Sequence, residues 1–197
     1  MKQIAISLAA VGAFAIAACT QASDVPTDAE IAATESAAAT ADDSALATAP
    51  VAPVAGGKVL ALEGLGELVI GKPVPAGSSF AERGAQIPGS DCKTVTSPDY
   101  PGVHAMLEGG QVRRITVGQR SDVKLSEGIG VGATEQAVLA AFPGFRATPH
   151  KYVAAPAKYL TQPGNDPRLR FEIGENGRVS LIHIGVMPQL GYVEGCG

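Results

Sequence analysis

The sequence predicts an α+β fold over residues 58–197: two tandem helix-plus-antiparallel-meander repeats forming one domain, helices on one sheet face. Three observations carry that expectation. Two glycine-bounded strand patterns, 110–118 and 177–185, match at a constant offset of 67, setting Val112 against Val179, Ile115 against Ile182 and Val117 against Ile184. Alternating apolar runs meet at glycine turns, Gly109-Gly110 in one half and Asn176-Gly177 in the other, and Asn-Gly between such runs is a strong hairpin signal. Finally, 134–142 has a helix start at Thr134 and a stop at Pro143-Gly144.

Taken in order, residues 1–18 read as a secretory signal, with Lys2 followed by an uncharged run from 4 to 18. That run is shorter than the ~20 residues a spanning helix needs. It closes Ile16-Ala17-Ala18-Cys19, which resembles the bacterial lipobox. The resemblance implies that Cys19 becomes the acylated mature N-terminus, and more than one acyl chain makes such an anchor durable. Thr20 follows, not the Asp of inner-membrane retention, so an outer-membrane address is expected, with the domain facing the periplasm or the cell surface.

Residues 19–57 are expected to be a lipid-anchored, disordered tether. The stretch 20–57 holds 13 Ala, six acids, no base and no aromatic ring, too little apolar surface to offset the entropy of ordering. As a flexible chain it would reach about 35 Å. Beyond it, 58–197 carries 14 bases and 13 acids with no basic block, which argues against a nucleic-acid partner.

The halves of the domain fall at about 60–120 and 125–197. In the first, 68–73 opens, 79–86 is a short helix candidate with Phe80 and Ala81 near its start, 92–96 is a strand, and 103–108 forms a hairpin with 110–118. In the second, Val131-Gly132 answers Ile70-Gly71 at an offset of 61. The helix 134–142 should turn Val138, Leu139 and Phe142 inward. Strands at 152–160 and 169–174 then lead through Glu175-Asn176-Gly177 into 177–185. Strand alternation sends Val103, Ala105, Leu107, Ile115, Val117, Leu169, Phe171, Ile173, Ile182 and Ile184 inward. It leaves His104, Met106, Arg114, Thr116, Arg170, Glu172, Leu181 and His183 on an outer face, the candidate binding face.

With Cys19 lipidated, Cys92 and Cys196 remain as an even pair in an oxidising compartment and are expected to bridge. A loop of that length is worth about 4.7 kcal/mol in the chain-entropy account. The alternative is a pair of reactive thiols, though no Cys-x-x-Cys is present.

A small helix and a meander, twice in tandem, is similar to the β-lactamase inhibitory protein architecture. The openings Ile70-Gly71-Lys72-Pro73 and Val131-Gly132-Ala133-Thr134 resemble the small lipoprotein of the outer-membrane β-barrel assembly machinery, and the tail Tyr192-Val193-Glu194-Gly195-Cys196 looks like that of other bacterial lipoproteins. These resemblances imply a protein-binding sheet face and no catalytic duty. β-Lactamase inhibition itself does not carry over, because each half here has one Cys and the chain has no Trp.

No Gly-x-Ser-x-Gly, Ser-x-x-Lys or His-Glu-x-x-His occurs, and Gly128-Ile129-Gly130-Val131-Gly132 lacks the preceding strand and third glycine of a dinucleotide loop. His104 and His183 on one face with Glu172 would suit a metal, but solvated histidines are the simpler account. Arg113-Arg114 suits an acidic partner or plain solvation. Tyr152 and Tyr159, beside Lys151 and Lys158, suit sugar stacking or core packing. The expectation is therefore a non-enzymatic envelope lipoprotein, without catalytic residues, metal or cofactor, that binds a protein through its outer sheet face. Glycan or peptidoglycan binding at Tyr152 and Tyr159 is the alternative. A hydrolase would rest on His104 and His183 alone.

Overall fold

A computed structural model of the protein describes residues 58–196. The signal segment 1–18, Cys19 and the tether lie outside the described residues. Among the described residues no helix is long and apolar enough to cross a membrane.

The fold is mostly β, which corrects the α+β expectation. Two sheets account for it, with one α-helix of seven residues among the described residues. The smaller sheet comprises β1 (Val59–Ala61), β2 (Gly64–Leu65), β3 (Leu68–Val69) and β8 (Lys124–Leu125), in the order β3-β2-β1-β8. The larger contains β4 (Ala81–Glu82), β5 (Lys93–Thr96), β6 (Val103–Glu108) and β7 (Gln111–Val117) from the first half. The second half adds β9 (Arg146–Pro149), β10 (Lys158–Thr161), β11 (Arg168–Ile173) and β12 (Val179–Gly185), after helix α1 (Glu135–Ala141). Its order, β4-β5-β6-β7-β12-β11-β10-β9, sets two four-strand meanders side by side. They join with Thr116 opposite His183, Ile115 opposite Ile184 and Val117 opposite Ile182.

The halves thus share a meander and not a helix. Residues 79–86 are not helical, because the segment is too short to nucleate a helix and Gly84 adopts φ +76° inside it. Instead Ala81–Glu82 pairs with β5. Gln86 extends that edge with its side chain, which accepts from Thr94 N (3.0 Å) and donates to Thr94 O (3.0 Å). The expected strand at 152–160 shortens to β10, since Pro156 has no N–H for the ladder. Helix α1 does form where expected, with Thr134 as its cap accepting from Ala137 N at 3.2 Å. Val138 is buried as expected, but Leu139 is 41% exposed.

Alternation sorts the faces of the large sheet correctly. Val103, Ala105, Ile115, Val117, Leu169, Phe171, Ile173, Ile182 and Ile184 all enter one core, closed by Leu60, Leu65, Leu68 and Leu125 of the small sheet and Val138 of α1. The opposite face is also covered, which corrects the expectation of an open surface. A C-terminal strap crosses it: a 3-10 turn at Gln189–Gly191 that buries Leu190, then a tail whose Cys196 is bonded to Cys92 with Cα atoms 5.4 Å apart.

Candidate functional site

Strand register lines polar side chains across the covered face. Thr96 lies opposite His104, His104 opposite Thr116, Thr116 opposite His183, and His183 opposite Arg170. Glu172 and Tyr159 form the next row, paired across β10 and β11. Of the predicted face residues, Met106, Arg114, Thr116 and His183 are buried, while His104, Arg170, Glu172 and Leu181 are half-buried. The strap and the segment 150–157 supply the cover that the sequence alone did not reveal.

Inside this layer the side chains form one chain of hydrogen bonds. Thr116 Oγ1 meets His183 Nδ1 at 2.9 Å, and His183 Nε2 meets Glu172 Oε1 at 3.1 Å. The other carboxylate oxygen, Oε2, meets His150 Nε2 at 3.4 Å. An ionised carboxylate only accepts, so both imidazoles carry their proton on Nε2. Thr116 then donates to His183 Nδ1. His150 Nδ1 accepts from the backbone N–H of Tyr152 and of Val153, each at 3.2 Å. Burial alone would raise the Glu172 pKa, but the hydrogen bonds from His183 and His150 hold it below its usual value. Burial pushes His183 down, with Glu172 opposing and Arg114 assisting. His104 falls to about 4, through burial first, then Arg114 and His183.

Two guanidinium groups close the layer. Arg114, only 4% exposed, donates to three carbonyls of the strap: Gln189 O at 2.9 Å, Tyr192 O at 2.7 Å and Glu194 O at 3.1 Å. Arg170 donates to Leu190 O at 3.1 Å and lies over the Tyr159 ring, 3.8 Å from its centroid. Tyr159 is buried and stacks on His150 at 4.6 Å. The expected pairing of Tyr152 with Tyr159 therefore divides: Tyr159 belongs to the interior, whereas Tyr152 is 59% exposed.

Thr116–His183–Glu172 has the groups of a nucleophile, base and orienter, but not their use. Thr116 is 1% exposed, so no substrate reaches its hydroxyl. Nor does Glu172 gather His104 and His183 as a metal set; its second oxygen goes to His150. Among the described residues no group of three or more His, Cys, Asp or Glu side chains has metal-holding geometry.

An accessible groove lies at the rim of the strap. A groove of about 740 Å³ runs beside the disulfide, walled by Asp91, Glu108, Lys151, Tyr192 and Glu194 with Cys92 and Cys196 in its lining. Tyr192 is 41% exposed, and Tyr152 donates its hydroxyl to Glu194. Glu108 accepts from Gln189 of the strap. Sequence reasoning had Tyr152 and both cysteines in view, Tyr192 only as part of the C-terminal tail, and Asp91 not at all. The cue was the disulfide itself, which brings 90–92 to the end of the chain. Compared with known proteins, the chain matches no family model, no curated protein and no solved structure.

Proposed function

We propose that the protein is a non-enzymatic lipoprotein of the bacterial envelope, held in the outer membrane through acylated Cys19, whose domain binds another envelope protein through the groove beside the disulfide. One observation carries the choice of surface. The sheet face is largely covered by the strap and the segment 150–157, while the groove presents the exposed Tyr192 on a concave surface lined with both polar and apolar groups. Tyrosine is enriched at protein interfaces because one large ring fills a pocket while its hydroxyl finds a partner. A non-catalytic role is supported by the burial of Thr116 and His183, whose chemistry is out of a substrate's reach.

Glycan binding is the second reading, favoured by the exposed Tyr152 ring tied to Glu194 at the same rim. Full-length protein immobilised in detergent, exposed to envelope extract, separates the two. The double variant Tyr192→Ala/Lys151→Glu should lose a protein that the wild type and the remote variant Thr148→Glu both retain. Retention of the same protein by all three would overturn the groove. Saturable binding to purified cell wall, lost in the double variant, would establish the glycan reading instead. Mass spectrometry of membranes tests the anchor separately: the mature chain should begin at acylated Cys19, and an unmodified soluble chain would refute it.

A further inference from the structure

We infer that His150 is the catch of an acid-released latch: uptake of a proton at its Nδ1 frees the segment 151–157 and, with it, one wall of the groove. Only the last clause rests on the groove being a binding site. The latch stands on geometry. His150 Nδ1 is the acceptor for two backbone N–H groups of its own segment, those of Tyr152 and Val153 at 3.2 Å each. An imidazolium carries N–H on both nitrogens and accepts nothing. Protonation in place would therefore cancel two hydrogen bonds and aim three donors at one another, so the proton enters only as the segment lifts.

The surroundings of the ring come from five directions. Its own segment contributes Lys151, whose ammonium lies 5.0 Å from the Tyr152 ring, and β10 contributes the stacked Tyr159. Strand β11 contributes Glu172 on Nε2 and Arg170 beyond Tyr159. Strand β12 contributes His183 on the far oxygen of Glu172, and the strap contributes Glu194, which Tyr152 holds by its hydroxyl. Glu172 favours an imidazolium; Arg170 and Lys151 oppose it. Glu172 keeps its bond to Nε2 in either form, so the contacts that protonation removes are the two N–H groups on Nδ1.

Lifting 151–157 breaks the Tyr152–Glu194 link and the contact of Lys151 N with the Tyr159 hydroxyl at 3.4 Å. Both Lys151 and Glu194 line the groove. If closing excludes one proton, the ratio of open to closed segment rises by at most about tenfold for each unit of acidification.

Nitrogen NMR of the imidazoles in full-length protein in detergent, combined with amide-exchange protection normalised for intrinsic rates, tests this. At pH 7.5 His150 should show a bare Nδ1, with the Tyr152 and Val153 amides protected. On acidification their protection should fall in step with His150 protonation. The variant His150→Asn keeps an oxygen acceptor for the same two N–H groups and does not titrate. It should hold the segment closed at both pH values, while His150→Ala should leave it open at both. An Nδ1-protonated His150 at pH 7.5, amides protected throughout the titration, or equal acid release in His150→Asn would each overturn the latch. If the latch operates but Tyr192→Ala/Lys151→Glu has no effect on partner capture, the groove fails and the latch stands.

Discussion

Arg114 shows how far a single side chain can be misjudged by pattern alone. Alternation places it correctly opposite the apolar core, but polarity suggested solvent, and the residue is instead enclosed by three strap carbonyls. Removing it by Arg114→Ala leaves those acceptors without a donor and should cost about 3 kcal/mol, read by chemical denaturation. Gly185 faces Arg114 across the β7–β12 pair, and a Cβ there would lie 2.4 Å from Arg113 O. Gly185→Ala should therefore destabilise by a similar amount, a demand visible in the sequence only as a terminal glycine. Half-buried His104 gives a pH dependence with a definite sign. Its pKa is about 4 when folded against an ordinary 6.5, so its contribution is complete above pH 6.5 and is lost as pH falls towards 4. Glu172, held below its ordinary 4.5, adds a loss in the same direction at lower pH. Stability should drop by about 2 kcal/mol from His104 between pH 7 and 4, allowing for partial exposure of the ring, and His104→Gln should flatten that stretch of the profile.

Among the elements, the long alternating strands were legible because each carries enough residues to set a period. Strands β6, β7 and β12 lie within the runs read from sequence, and β11 begins one residue ahead of its run. The two-residue strands β2, β3, β4 and β8 hold no period at all, and the small sheet that β2, β3 and β8 build with β1 was invisible. Helix α1 was legible from its cap; Thr134→Ala should weaken the domain by about 1 kcal/mol in thermal or denaturant unfolding. The strap is the element that sequence reasoning missed. It carries no strand pattern, and only Cys196 announces that it must return to the domain. A Cys92→Ser/Cys196→Ser protein should lose about 2–5 kcal/mol and show faster amide exchange from 187 onward. Unchanged exchange there would mean that Arg114, Arg170 and Leu190 hold the strap unaided.

For the whole molecule, the large sheet has two interiors. One is apolar, between the sheets; the other is polar, between the large sheet and the strap. The polar one collects the histidines and arginines that a sequence reader takes for a site, because its cover comes from segments far along the chain, at 150–157 and 189–196. The rim where those two segments meet the disulfide holds the groove proposed above as the binding surface. Radical footprinting of the full-length protein, free in detergent and in native envelopes, tests this most directly. Tyr159 and His183 should resist labelling in both settings, whereas Tyr192 should label freely in detergent and become protected in the envelope. Ready labelling of His183 and Tyr159, or a Tyr192 equally reactive in both, would contradict the account.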